Sequence, residues 1–133
     1  MNAVVGQIKF VHRDQKRMRD ISEFDGGQAD FSIQMISVDE DAPGPVELGH
    51  HAHRKVEIFT CLEGEAMCYM REVNAQGEPA TGELIRQQIV KGTVVQMKPF
   101  VAHVFVAEPG CVLHVASNTR YDETDVIPYY FNL

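Results

Sequence analysis

The sequence predicts an all-β sandwich or barrel. Short apolar runs recur with turn signals between them, and hardly any segment carries a sustained 3.6-residue period. With 133 residues the chain has room for one continuous core, so residues 1–133 are expected to form a single domain.

The strands can be justified in order. Residues 31–38, from Phe31 to Val38, read as a strand, and the following DEDAPGPVELG is a connecting loop with two prolines and two glycines. That loop delivers the chain to His50, and the next strand carries the first histidine cluster. Glu65 to Val73 and Glu83 to Val90 are strand-like runs joined by NAQGEPATG, which has the length and composition of an exposed hairpin loop; Gly64 and Gly92 mark its outer ends. Thr93 to Met97, Ala102 to Ala107 and Cys111 to Ser117 complete the count, with Glu108-Pro109-Gly110 as a turn. The aromatic and acidic tail, RYDETDVIPYYFNL, is expected to dock Tyr129, Tyr130 and Phe131 as a helix or strand, on the barrel or on a second subunit.

Composition narrows the function classes. No stretch approaches the ~20 apolar residues needed to span a bilayer, and MNAVVGQIKFVHRDQKR lacks the apolar run of a secretory signal. A cytoplasmic, non-membrane protein is expected. Cys61, Cys68 and Cys111 lack CxxC spacing and lie in apolar runs, so they are expected to be buried structural thiols. A formal charge of −7 repels polyanions, which argues against a nucleic-acid partner but not against a nucleotide held by a local Arg or Lys.

One constellation carries chemistry. In an extended strand alternate side chains share a face, so His51, His53 and Glu57 are expected to project together, with His103 joining from a later strand. Three imidazoles and a carboxylate are a ligand set for Fe, Mn, Ni or Zn, and without metal the same groups form an acid–base cluster. His50, of opposite parity, should point away. His12 and His114 read as ordinary surface or core histidines.

His51-x-His53-x-x-x-Glu57 followed by Gly64 resembles the first cupin motif, and Gly92, Pro99 and His103 resemble the second. The resemblance implies a cupin double-stranded β-barrel, or jelly roll, with a small C-terminal extension. Phe100 stands where the second motif usually has glycine, so the turn before His103 is expected to run without positive φ there.

From Phe31 onward the chain resembles the WxcM-like sugar-nucleotide 3,4-ketoisomerases, which act on dTDP-4-keto-6-deoxyglucose in the biosynthesis of unusual surface sugars. GHHAHRKVEIFTCLEG at 49–64 and ASNTRYDETDVI at 116–127 carry the likeness. It implies an enzyme that is a homodimer, with exchanged N-terminal strands, acting on a dTDP-linked keto sugar. It also implies that His51 and His53 move a proton between neighbouring sugar carbons through an enediol-like intermediate, supported by Glu57 and His103, with no required metal. The family places an arginine three residues before the first histidine, and a basic residue and tyrosines on the preceding strand. Leu48, Met35, Ser37 and Val38 occupy those positions here. Two other readings use the same residues: a metal-dependent cupin enzyme with a three-His, one-Glu site, and a cupin that binds a sugar or small ligand without turnover.

Overall fold

Successive strands pack into two antiparallel sheets in the structure, a computed structural model that describes residues 3–25, 30–120 and 122–133. The described strands are β1 (Gln7–Asp14), β2 (Arg19–Asp25), β3 (Ser32–Val38), β4 (Val46–Ala52), β5 (Glu57–Glu63) and β6 (Glu65–Glu72). They continue with β7 (Ile85–Val90), β8 (Val94–Met97), β9 (Val101–Ala107), β10 (Val112–Ser117) and β11 (Ile127–Pro128). One sheet has the order β1-β2-β3-β10-β5-β8 and the other β11-β4-β9-β6-β7. This is the jelly-roll architecture of a cupin. No described helix is long and apolar enough to cross a membrane.

The alternation of buried and open residues along β5 and β10 is the cause of the layering. Phe59 and Cys61 of β5, and Leu113 and Val115 of β10, face inward, where they meet Leu48, Ile89, Met97 and Phe105. Each fully buried aliphatic or aromatic side chain of this kind contributes about 1.5–3 kcal/mol. Cys61, Cys68 and Cys111 are buried free thiols, as expected, and burial pushes those of Cys68 and Cys111 up to about 12.

The tail forms a strand rather than a helix. Ile127 and Pro128 pair with Ala52 and His51, and the Tyr129 amide donates to the His50 carbonyl at 3.0 Å. Phe131 and Ile127 are buried with Ala102 and Val104, which point away from the barrel interior, while Tyr130 stays 74% exposed. The C-terminal extension therefore seals the outer face of β4 and β9.

Two expectations fail. His51, His53 and Glu57 do not share one extended strand: β4 ends at Ala52, and residues 53–56 carry the chain across to the opposite sheet, where Glu57 opens β5. The β4–β9 register also shifts between Gly49 and His51, so simple parity does not hold through that stretch. The second failure is Phe100, which adopts φ +66. The turn keeps the left-handed backbone that glycine usually provides and holds a phenylalanine in it. Packing of Phe100 against the cluster under the tail, and the bond from its amide to the His53 carbonyl at 2.8 Å, offset the strain.

Candidate active site

Between the sheets lies a cavity of about 330 Å³. His51 enters it from β4, directly opposite His103 on the neighbouring β9, and their ring centroids are 5.2 Å apart. Gly49 permits this approach: with φ +123, a Cβ there would stand 2.6 Å from the His103 carbonyl oxygen. His53 follows at the end of β4, its ring 4.6 Å from that of His51. Glu57 arrives from the facing sheet. The four predicted residues converge, and two opposed sheets, not one strand face, bring them together.

Hydrogen bonds orient the rings. His103 Nδ1 lies 3.1 Å from the Val101 carbonyl oxygen, and His53 Nδ1 contacts the Asp125 carbonyl oxygen. A carbonyl only accepts, so both Nδ1 atoms carry hydrogen and each Nε2 is the remaining ring nitrogen. Those two Nε2 atoms point at Glu57 Oε1, 3.4 Å away for His53 and 3.8 Å for His103. Oε1 is buried and accepts no hydrogen bond among the described residues. With neutral rings, three acceptors converge on one spot, an arrangement satisfied by a proton among them.

Electrostatics favour placing that proton on the carboxyl. Burial pushes Glu57 above the usual carboxylate range. Burial, followed by the neighbouring His103 and His53, pushes His51 down to about 3, and burial pushes His103 down to about 4. His51 and His103 are therefore neutral near pH 7. None of the described hydrogen bonds engages the His51 ring, which leaves its nitrogens available in the cavity. Among the described residues no group of three or more His, Cys, Asp or Glu side chains is arranged to hold a metal ion. The donor set in this arrangement fits proton exchange.

The 116–127 stretch explains itself in the same terms. Asn118 Oδ1 accepts from the Val56 amide at 3.2 Å, and Asp125 Oδ1 accepts from the Arg54 amide at 2.9 Å. Together with the Asp125 carbonyl on His53, these bonds clamp the crossing between β4 and β5. Tyr121 of the same stretch lies outside the described residues.

His50 points away, as its parity suggests: Nδ1 accepts from the Phe131 amide at 3.1 Å and its ring stacks on Tyr130 at 4.4 Å. His12, on β1, is exposed and His114, on β10, half-buried; neither lines the cavity. On β3 it is Gln34 and Ile36 that line the cavity, so Met35 and Ser37 alternate to the other side and Val38 joins the core. Leu48 does line it.

Sequence reasoning misses Arg17, Arg19 and Lys55, which also line the cavity. A signal for the first two exists in the alternation Arg17-x-Arg19-x-Ile21. Beside the cavity lies a shallower depression of about 710 Å³ that includes Arg54, Asn118 and Arg120 and shares Lys55 and Asp122 with it.

The chain is 32% identical over 108 residues to TDP-4-oxo-6-deoxy-alpha-D-glucose-3,4-oxoisomerase of Aneurinibacillus thermoaerophilus, a match covering 77% of this chain and 70% of that one. The capsular polysaccharide assembling protein CapF of Staphylococcus aureus superposes with a TM-score of 0.70 at 19% identity, over 96% of this chain and 33% of CapF. The chain thus spans about a third of CapF. A cupin-2 domain protein of Rhodospirillum rubrum, Rru_A2000, superposes with a TM-score of 0.62 at 13% identity, over 87% of this chain and 72% of that one. These structural likenesses establish the fold. No family model matches the chain.

Proposed function

The chain belongs to the WxcM-like cupin family that includes the TDP-4-oxo-6-deoxyglucose 3,4-oxoisomerase, and we propose that it isomerises a nucleotide-linked 4-keto-6-deoxy sugar. The observation that carries the reading is the pairing of an uncommitted, neutral His51 with the proton-sharing group of His53, Glu57 and His103 in one cavity.

A ketone acidifies the hydrogen on the adjacent carbon. In the proposed reaction His51 removes that hydrogen, and His53, supplied from Glu57, protonates the carbonyl oxygen as it gains charge. The resulting enediol gives its other hydroxyl proton back through His53 to Glu57, and the proton on His51 passes to the former carbonyl carbon, so both groups end as they began. Atoms balance, and the keto group has moved by one carbon. The 330 Å³ cavity suits a hexose, and the depression beside it, with Arg54 and Arg120, offers room and charge for a nucleoside diphosphate.

The test is dTDP-4-keto-6-deoxyglucose in deuterated water. Appearance of the 3-keto isomer with deuterium on the sugar ring supports the reading; a panel of keto-sugar nucleotides with neither product nor exchange overturns it. Elemental analysis belongs beside it, because a near-stoichiometric transition metal that disappears in His53→Ala would replace this scheme with a metal-dependent one. A product pool for surface-polysaccharide sugars and a homodimer belong to the same proposal. The position of β1 at the edge of its sheet among the described residues supports the latter, since Ile8 and Phe10 are 47% and 61% exposed there. A monomeric mass by light scattering at micromolar concentration counts against the dimer.

A further inference from the structure

A guanidinium lines the cavity from the β1–β2 hairpin. Arg19 opens β2 on the same inward face as Ile21, and its register partner across to β3 is Val38. The residue is 7% exposed, and among the described residues its Nε has no acceptor. Nη2 reaches Asp14 Oδ2 at 3.4 Å, a long contact that Asp14 shares with Arg17 at 3.5 Å.

A buried cation with an idle donor, set against Ile21, Ile36 and Leu113 in the cavity wall, is costly to the free protein. It becomes favourable once an anionic oxygen enters. We propose that Arg19, carried by the β1–β2 hairpin, is the oxyanion donor of this site. The ligand chemistry is a planar enediolate oxygen within the cavity. The diphosphate is the less suitable anion, because the depression lined by Arg54 and Arg120 lies outside. The inference rests on the isomerase reading for the identity of the sugar, but the anion site can be tested without turnover.

The probe is oxalate, a planar dianion that mimics an enediolate, titrated by calorimetry into chelator-treated protein beside kinetics on the keto-sugar nucleotide. Arg19→Gln is expected to weaken oxalate at least tenfold and to lower kcat by about 10²–10³-fold, with KM little changed. Arg19→Lys, which keeps the charge but not the planar fork, should fall between. Asp14→Asn leaves Arg19 whole, frees it of its carboxylate and should tighten oxalate, so the proposal stays testable if Arg19→Gln does not fold. Oxalate affinity indifferent to both Arg19→Lys and Asp14→Asn, absent binding to the wild type at millimolar concentration, or a loss confined to KM would each overturn it. Arg19-dependent oxalate binding with no sugar turned over would sink the isomerase reading and leave the anion site standing. Turnover untouched by Arg19→Gln would do the reverse.

Discussion

At the scale of single residues, the two histidines of the pair are chemically unequal. His53 is anchored at Nδ1 by a carbonyl and faces a carboxyl; His51 has neither partner and is kept neutral by burial. His51→Asn should therefore remove the base and lower kcat by about 10²–10⁴-fold while the fold and ligand affinity persist, and His51→Asn with wild-type turnover would remove His51 from the mechanism. Glu57→Gln keeps the shape of the side chain but cannot exchange the proton, so its loss should appear in kcat and in the solvent isotope effect. These residues are legible in the sequence because the spacing of two motifs marks them. Arg19 is far less so: the alternation Arg17-x-Arg19-x-Ile21 is its one signal, and charged residues beside a turn such as QKRMR ordinarily face water.

At the scale of elements, two pieces of backbone hold the histidines in register. Gly49 lies against the β9 main chain, and Gly49→Ala drives a methyl group into the His103 carbonyl. The variant is expected to lose more than about 3 kcal/mol in denaturant unfolding, since both the close approach and the positive φ are violated; a loss under 1 kcal/mol, roughly that of an unremarkable surface change, would show that β4 can shift freely. The second piece is β11. Ile127→Asp places a charge where the side chain is 3% exposed, so it should detach the tail and withdraw the Asp125 carbonyl from His53. Nitrogen-resolved NMR of the imidazoles should then show His53 exchanging tautomers, whereas an unchanged Nδ1–H signal would mean the tail does not orient it. Strands β3 and β6 to β10 are readable because period-two apolar runs end at glycines and prolines, whereas β4 and β5 merge in the sequence into one expected strand. β1 and β2 are not, since their exposed residues interleave apolar and charged types without a clean face. The position of Glu57 is legible only as part of a motif; nothing local announces that residues 53–56 cross from one sheet to the other.

At the scale of the whole molecule, the buried histidines tie stability to pH. His51 and His103 have folded-state values pushed down to about 3 and about 4, against 6.5 for an unperturbed histidine. Between those values the unfolded chain binds protons that the folded chain refuses, so their contribution is complete above pH 6.5 and drains away as the pH falls below it. Each carries a slope of up to about 1.4 kcal/mol per pH unit. Glu57 works in the opposite sense, because its raised value lets the folded state keep a proton that the unfolded chain releases above about 4.5. Two histidines outweigh one carboxyl, so unfolding free energy should drop as the pH falls from 6.5 to 4.5, each histidine contributing up to about 1.4 kcal/mol per unit and Glu57 offsetting part of it. Lower still, the half-buried carboxylates of Asp39, bonded by Arg13, and Asp14, bonded by the Arg17 amide, take up protons below their depressed values and add to the fall. Denaturant melts across that range test the sign directly. Glu57→Gln should steepen the slope between pH 4.5 and 6.5, and His51→Asn should flatten it, because each removes one term of opposite sign. A wild-type slope that is flat or inverted in that window would mean that the barrel admits protons, and with them water, to the histidines before it unfolds. Neutral imidazoles at neutral pH would then lose their physical basis, and with them the assignment of His51 as the base.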